Sequence, residues 1–216
     1  MGLTPTPPHE RPRLRGAMHA LVFFAAIPAA IFLILHAHRA TAIAAASVYA
    51  ASVLALFGTS AGYHRLTRSP KATAIMQRLD HSMIYVLIAG TYTPICLLAL
   101  PRAWGIPILA IVGVGALIGV ATTVFAFNRW RILHYALYPI MGWIAVAAGP
   151  QLADSLTGTQ LALIVAGGVL YTAGFPVLLT EKPNPWPKTF GYHEVWHSFT
   201  VAAGACHFAA VALIVS

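Results

Sequence analysis

The side chains best suited to chemistry in this sequence are histidines, one aspartate and one serine that stand beside long apolar runs. Ionisable residues near membrane depth are costly and for that reason usually mark function. They fall at the end of the second run and at the starts of the third and the last, and comprise Ser60, His64, Asp80, His81, His193 and His197. A lone histidine in such a place is more often an interfacial side chain, so the spacing between these residues decides what they can do.

His193 and His197 are four residues apart, and so are Ser60 and His64. In an α-helix this spacing separates two residues by about 6 Å along the axis and about 40° around it, so both imidazoles of the first pair can reach one ion. Three histidine nitrogens around a tetrahedral ion leave a fourth position open, as a catalytic zinc site requires. Asp80 could then orient or deprotonate a water at that position, or complete the ligand shell. Zinc lowers the pKa of a bound water towards about 7, which provides hydroxide at neutral pH.

Residues 193–197 also match the H-E-x-x-H pattern of zinc peptidases, in which the glutamate is a general base. In this alternative Glu194 is the base and the protein is an intramembrane peptidase. The pattern is short, and the downstream candidate for a third ligand, His207, lies ten residues beyond His197, about 15 Å along a helix. We therefore disfavour the peptidase and expect Glu194 to stand beside the metal ligands rather than to act as the base.

The composition shows what kind of protein must position these residues. Of 216 residues, 59% are hydrophobic and 8% are charged, whereas a soluble domain has about 25% charged residues. A span needs about 20 apolar residues to cross about 30 Å of hydrocarbon. We predict an all-α bundle of seven transmembrane helices in residues 17–216, at about 17–36, 41–63, 81–100, 105–127, 132–150, 160–180 and 193–215. Residues 1–16, with four prolines and three arginines, are predicted to form a disordered cytoplasmic tail.

The basic residues predict how the bundle is oriented. Eleven of the thirteen lysines and arginines lie in the N-terminal tail or in alternate loops, and only Arg39 and Arg102 lie on the other side. The positive-inside rule then places the N-terminus in the cytoplasm and the C-terminus outside, in the cell inner (plasma) membrane. The net charge of +8 is explained by topology, so no nucleic-acid partner is expected. With this alternation, all of the candidate residues fall at the cytoplasmic face.

Four motifs, taken as a set, make the sequence resemble the hemolysin III family, the bacterial branch of the progestin and adipoQ receptor group. They are Ser60-x-x-x-His64, Leu79-Asp80-His81-Ser82-Met83-Ile84-Tyr85, Ala89-Gly90-Thr91-Tyr92-Thr93-Pro94 and His193-x-x-x-His197. The resemblance covers essentially the whole membrane region. It implies a zinc ion (Zn²⁺) near the cytoplasmic face, with ligands His64, His193 and His197 and with Asp80 and Ser60 around the metal-bound water.

The same resemblance extends to alkaline ceramidases, which implies hydrolysis of an amide or ester bond in a membrane lipid. We therefore expect a zinc-dependent lipid hydrolase in which Asp80 moves protons and Ser60 hydrogen-bonds Asp80 or the water. Ser60 as a nucleophile has no evident base, and the role of His81 is left open. Two alternatives remain: a non-catalytic membrane sensor or regulator with structural zinc, and a cytolytic pore or a transporter. The latter is less favoured because the spans hold few charges away from the cytoplasmic end.

Overall fold

The structure, a computed structural model, describes residues 11–216. Within this range seven helices are long and apolar enough to cross a membrane. They are α1 (Ala17–Leu35), α2 (Ala40–Leu66), α3 (Pro70–Ala99), α4 (Arg102–Ala126), α5 (Arg131–Ser155), α6 (Gly158–Thr180) and α7 (Tyr192–Val215). The predicted all-α fold of seven spans is confirmed.

The helices follow one another around the bundle, and α7 closes it by packing on α6 and on α1. Small residues allow this close packing. In lipid the hydrophobic effect does not bring helices together, so van der Waals packing between close backbones must do so. Buried alanines line α2, among them Ala42, Ala45 and Ala46. A Cβ on Gly90 of α3 would meet Ser52 Oγ of α2 at 2.1 Å, so these two helices can approach this closely only with glycine there.

The third helix begins well before the predicted start at residue 81. Pro70 occupies its first turn, and the side chain of Ser69 caps it by accepting a hydrogen bond from the Ala72 amide. Serine at the cap and proline in the first turn are strong start signals. The polar residues that follow suggest a loop when read for hydropathy alone. As a consequence Asp80 and His81 stand inside the helix, in its third turn, rather than at its start.

Two of the spans contain irregular turns, and a tyrosine of α3 bonds the freed backbone groups of the turn in α5. The α-helical part of α3 passes after Pro94 into a π-helical turn at Ile95–Ala99, and α5 is interrupted by a 3₁₀ turn at Ile144–Ala148. The hydroxyl of Tyr92 shares its one proton between the carbonyls of Met141 and Gly142 in α5 (2.9 and 3.0 Å) and accepts from the Ala145 amide at 2.8 Å. Backbone groups freed by the break are therefore satisfied without water, as the membrane interior requires.

Residues 11–16 cross the end of the bundle as a short segment, which we call the strap. Residues 1–10 of the predicted disordered tail lie outside the described residues. The amides of Arg13 and Leu14 donate to the carbonyls of Lys188 and Thr189. At the end of the strap Gly16 has φ 74°, and a Cβ there would meet the Cβ of His64 at 2.6 Å. The strap is thus fitted against α2 at the position of a predicted metal ligand.

Candidate metal centre

Three histidines from α2 and α7 converge at the end of the bundle that the strap crosses. One ligand atom from each of His64, His193 and His197 lies within 4.8 Å of the other two. The Nε2 atoms of His64 and His193 are 3.1 Å apart. Two nitrogen ligands of one tetrahedral zinc, each about 2.0–2.1 Å from the ion, are about 3.4 Å from one another. We call these three residues the histidine group, and its spacing fits a single metal ion.

The chemistry of the donor atoms also fits a metal. The Nδ1 atom of His197 is buried, and no hydrogen-bond partner for it is found in the part of the chain that the structure describes. Buried polar atoms are nearly always paired, because leaving one unpaired costs about 1–3 kcal/mol. Neutral imidazole nitrogens suit zinc and related transition metals, whereas calcium and magnesium take oxygen ligands. The histidine group could therefore hold an ion of the zinc type.

Asp80 and Ser60 lie next to the histidine group, as the sequence motifs suggest. The Oδ2 atom of Asp80 is 4.0 Å from His64 Nε2. Ser60 precedes His64 by about one helical turn, is buried, and its side chain lies beside the Asp80 carboxylate. The structure thus brings together all five predicted site residues from three helices. Their roles as metal ligands and as catalytic groups remain predictions.

His81 is turned towards α5 rather than towards the histidine group. Its Nδ1 donates to the carbonyl of Gln77 at 2.9 Å, and its Nε2 is 3.4 Å from the hydroxyl of Tyr135. The ring also packs edge-on against Phe127. Both ring nitrogens therefore have partners outside the histidine group, which separates the role of His81 from that of its neighbour Asp80.

Glu194, the glutamate of the H-E-x-x-H pattern, is committed to other contacts. Its Oε1 accepts a hydrogen bond from Arg15 Nε of the strap at 2.6 Å, and its Oε2 accepts from the Gly191 amide at 2.7 Å, which caps α7. The side chain is 1% exposed. A general base must reach the proton that it removes, and here both oxygens are occupied. The peptidase alternative is disfavoured for this reason.

The sequence motifs did not single out His19. This residue of α1 is 3% exposed. Its Nδ1 is 2.8 Å from Ser60 Oγ, and its Nε2 is 3.1 Å from Thr200 Oγ1. Its ring stacks on that of His197 with the centroids 3.6 Å apart. One signal was available: the charge pattern places the start of α1 at the same end of the bundle as the site.

An apolar cavity of about 330 Å³ lies among α3, α5, α6 and α7. Near the site it is lined by Trp196 and Thr200, which flank His197 in α7, and towards the opposite end of the bundle by Leu152 and Leu161. On the side facing lipid, Trp143 of α5 donates a hydrogen bond to Thr172 of α6 at 3.1 Å. The three histidines do not line the cavity, which approaches them at Trp196 and Thr200, runs along the span and reaches the exposed surface between α5 and α6.

Seven apolar helices that enclose a histidine group near one end define a multi-pass membrane protein with a candidate metal centre. Comparison with known proteins agrees with this class. The chain matches the family model described as "Haemolysin-III related" over residues 9–208. The chain therefore belongs to the hemolysin III family, as its four motifs predict.

Two curated relatives are similar along most of their length. One is "Hemolysin-3" of Bacillus cereus, 36% identical over 193 residues, which is 88% of this chain and 85% of the relative. The other is "Hemolysin-3 homolog" of Bacillus subtilis (strain 168), 35% identical over 193 residues, which is 88% of this chain and 87% of the relative. This similarity shows the family, and the chemistry must be argued from the site.

Proposed function

We propose that this protein is a zinc-dependent hydrolase of an amide or ester bond in a membrane lipid. The observation that carries the proposal is the position of Asp80, 4.0 Å from His64 Nε2, at a histidine group with an apolar cavity beside it, lined by Trp196 and Thr200. When bound, zinc supplies Lewis-acid chemistry: it polarises a carbonyl and lowers the pKa of a coordinated water. His64, His193 and His197 would supply three nitrogen ligands, and three are the number that leaves one position free for water or substrate.

In this reaction Asp80 would transfer the protons and Ser60 would hold the site in place. Asp80 accepts a proton from the attacking water while the water oxygen bonds to the carbonyl carbon of the substrate. The bond from that carbon to nitrogen or oxygen then breaks, and Asp80 returns the proton to the departing amine or alkoxide. Ser60, buried beside Asp80, keeps this part of the site in place. The products are a carboxylic acid and an amine or an alcohol.

The cavity supports a lipid as the substrate. Its lining is predominantly apolar, with side chains such as Ile84, Ile88 and Ile164. A hydrocarbon chain that moves from the bilayer into such a cavity stays in apolar surroundings, so little desolvation opposes its entry. The chain would enter between α5 and α6, where Trp143 and Thr172 meet, and its carbonyl would reach the histidine group past Trp196.

The loops support a cytoplasmic location for the site. The basic residues that predict the orientation lie in the strap and in the connections at the same end of the bundle as the histidine group, for example Arg68 and Lys188. Under the positive-inside rule this end faces the cytoplasm of a plasma-membrane protein. A lipid substrate would then be cleaved at the inner surface of the membrane.

Metal analysis combined with a lipid assay tests the proposal. Purified protein should carry about one zinc per chain, as a site with three histidine ligands requires, and should hydrolyse at least one class among N-acyl sphingoid bases, other N-acyl amides and acyl esters. Full metal loading with no turnover on any of these lipids would overturn it. If chelation then lowered only the melting temperature, the protein would be a sensor or regulator with structural zinc. Specific ion flux through liposomes would instead favour a pore or a transporter.

A further inference from the structure

A second apolar cavity, of about 270 Å³, lies among α1, α2 and α7 and has no part in the proposed hydrolysis. Its walls are largely small and apolar side chains, for example Ala26, Ala29 and Val53. It reaches the surface between α1 and α7, where Ala25 and Ala205 line it and are also exposed. An apolar cavity of about 150 Å³ is enough to bind benzene, so this one has room for a stretch of hydrocarbon chain. We call it the α1–α7 cavity.

Two phenol hydroxyls of the α1–α7 cavity have no hydrogen-bond partner among residues 11–216. They belong to Tyr49 of α2 and Tyr171 of α6. Tyr49 is 1% exposed, so bulk solvent does not reach it. The hydroxyl of Tyr171 lies against α7, 3.9 Å from the position that a Cβ on Gly204 would take. Buried tyrosine hydroxyls usually have a hydrogen-bond partner, so these two point to a ligand that supplies one.

The other polar groups on the wall of this cavity are already paired. The hydroxyl of Thr91 donates to the carbonyl of Leu87 at 2.8 Å, and Nε2 of His207 donates to the carbonyl of Ile164 at 3.2 Å. Among the described residues, no lysine, arginine, aspartate or glutamate lines the cavity. A charged head group would therefore be buried without a partner, which is costly. The ligand that fits is a hydrocarbon chain with an uncharged oxygen.

We propose that the α1–α7 cavity is a second lipid-binding site, which takes from the bilayer a hydrocarbon chain with a hydroxyl or keto oxygen part-way along it. The chain enters between α1 and α7 at Ala25 and Ala205, and the hydroxyls of Tyr49 and Tyr171 bind its oxygen. A phenol can both donate and accept a hydrogen bond, so it can pair with either kind of oxygen. The site is separate from the histidine group, and the proposal does not depend on the proposed hydrolysis.

The same chemistry has a second possible source, because the two cavities share a wall. Four residues line both the α1–α7 cavity and the cavity beside the histidine group, namely Leu87, Thr91, Tyr171 and His207. The acyl chain of a substrate could pass this wall from the other side. The exposed alanines between α1 and α7 favour direct entry from the bilayer, and the experiment must separate the two routes.

Photolabelling with a matched pair of lipids tests the proposal. The probes are two methyl stearates with a diazirine at the same carbon, one hydroxylated at mid-chain and one not, in phosphatidylcholine vesicles that contain the full-length protein. We expect both probes to label lining residues of α1 and α7, such as Ala29 and Ala205. The hydroxylated probe should label them about 3–10-fold more strongly, which corresponds to one neutral hydrogen bond. Equal labelling by the two probes would overturn the proposal.

A double variant tests whether the phenols recognise the oxygen. In Tyr49→Phe/Tyr171→Phe we expect the two probes to label equally. The melting temperature should not fall, because the variant loses two hydroxyls that have no partner among residues 11–216, and removing an unpaired buried polar group does not destabilise a fold. A preference for the hydroxylated probe that survives in this variant would contradict the proposal.

Two leucine variants show where the chain lies and how it enters. A Cβ on Gly204 meets Phe57 at 3.7 Å and Tyr171 at 3.9 Å, which is ordinary contact, so Gly204→Leu can fill the α1–α7 cavity. It should remove the labelling of α1 and α7 by both probes, and labelling that persists would place the probes on the outer surface instead. Gly168→Leu fills only the cavity beside the histidine group and should leave this labelling unchanged.

The remaining outcome of the Gly168→Leu variant would also decide the matter. If it lowered the labelling of α1 and α7, the chain would arrive through the shared wall, and a separate site for a lipid of the bilayer would be wrong. None of these measurements needs a metal ion or turnover. A protein that cleaves no lipid would therefore refute the proposed function and still decide whether the α1–α7 cavity binds an oxygenated chain.

Discussion

The Nε2 atoms of His64 and His193 lie 3.1 Å apart although 129 residues separate the two histidines in the chain. Four helices, α3 to α6, lie in the chain between the end of α2 and the start of α7, yet these two ends meet at the same end of the bundle. Among residues 11–216, the carboxylate recorded near either ring is that of Asp80, 4.0 Å from His64. Two neutral imidazoles at hydrogen-bond distance are well placed to share a metal ion.

Replacement of a predicted ligand should remove the metal. In His193→Ala we expect the zinc content of the purified protein to fall from about one ion per chain towards zero, because two histidines alone hold zinc far more weakly than three. Elemental analysis after dialysis against a weak chelator measures this. His36→Ala is the matched control, since His36 is exposed at the other end of α1 and bonds its own helix at Phe32. Equal metal content in both variants would contradict the ligand assignment.

Asp80 should matter for turnover and not for metal binding. In Asp80→Asn the side chain keeps its size but can no longer carry a proton, so we expect hydrolysis to fall by about 10²–10⁴-fold, the usual contribution of general acid–base catalysis. The zinc content should remain as in the wild type. Asp154→Asn, which changes an exposed acid at the opposite end of the bundle, should alter neither quantity. Loss of metal in Asp80→Asn would instead make this residue a ligand.

The positions of these residues show what the sequence could and could not predict. Helix periodicity is local, so the spacing of His193 and His197 predicts a shared face, and the alternation of basic loops predicts which helix ends meet. Arg15, the strap partner of Glu194, and the partners of His19 are not local, because each contact depends on how a distant segment packs. Arg15 reaches Glu194 only because the strap pairs with residues 188–189. No spacing in the sequence encodes that contact.

The ion pair between Arg15 and Glu194 should stabilise the protein without taking part in catalysis. The two side chains are 8% and 1% exposed, and removing one partner of a buried pair typically costs about 3–5 kcal/mol. We therefore expect Glu194→Gln to lower the melting temperature while the folded fraction retains its metal and its rate of lipid hydrolysis. The matched control is Glu181→Gln. Glu181 is an exposed acid in the same loop as residues 188–189, with which the strap pairs, and its replacement should leave the melting temperature unchanged.

A different pattern in the same variant would revive the peptidase alternative. If Glu194→Gln kept the melting temperature of the wild type and lost nearly all hydrolysis, Glu194 would be a general base, and the hydrogen bonds of its two oxygens to Arg15 and Gly191 would have to open in the working enzyme. Measuring stability and turnover on one preparation distinguishes the two outcomes.

Filling the cavity should change which lipid chains are accepted. Gly168 of α6 lines the cavity, and a Cβ added there meets no atom within 4 Å, so Gly168→Leu can place its side chain in the open space without a clash. We expect kcat/KM to fall for long-chain substrates and to change little for short-chain analogues, because only the long chain must pass the new side chain.

The matched control is Gly113→Leu in α4. An added Cβ at Gly113 also meets nothing within 4 Å, but this residue does not line the cavity. A chain-length profile of hydrolysis, with melting temperatures for both variants, measures the effect. If Gly168→Leu lowered the rate equally for all chain lengths, or if Gly113→Leu gave the same profile, the cavity would not be the site of the acyl chain.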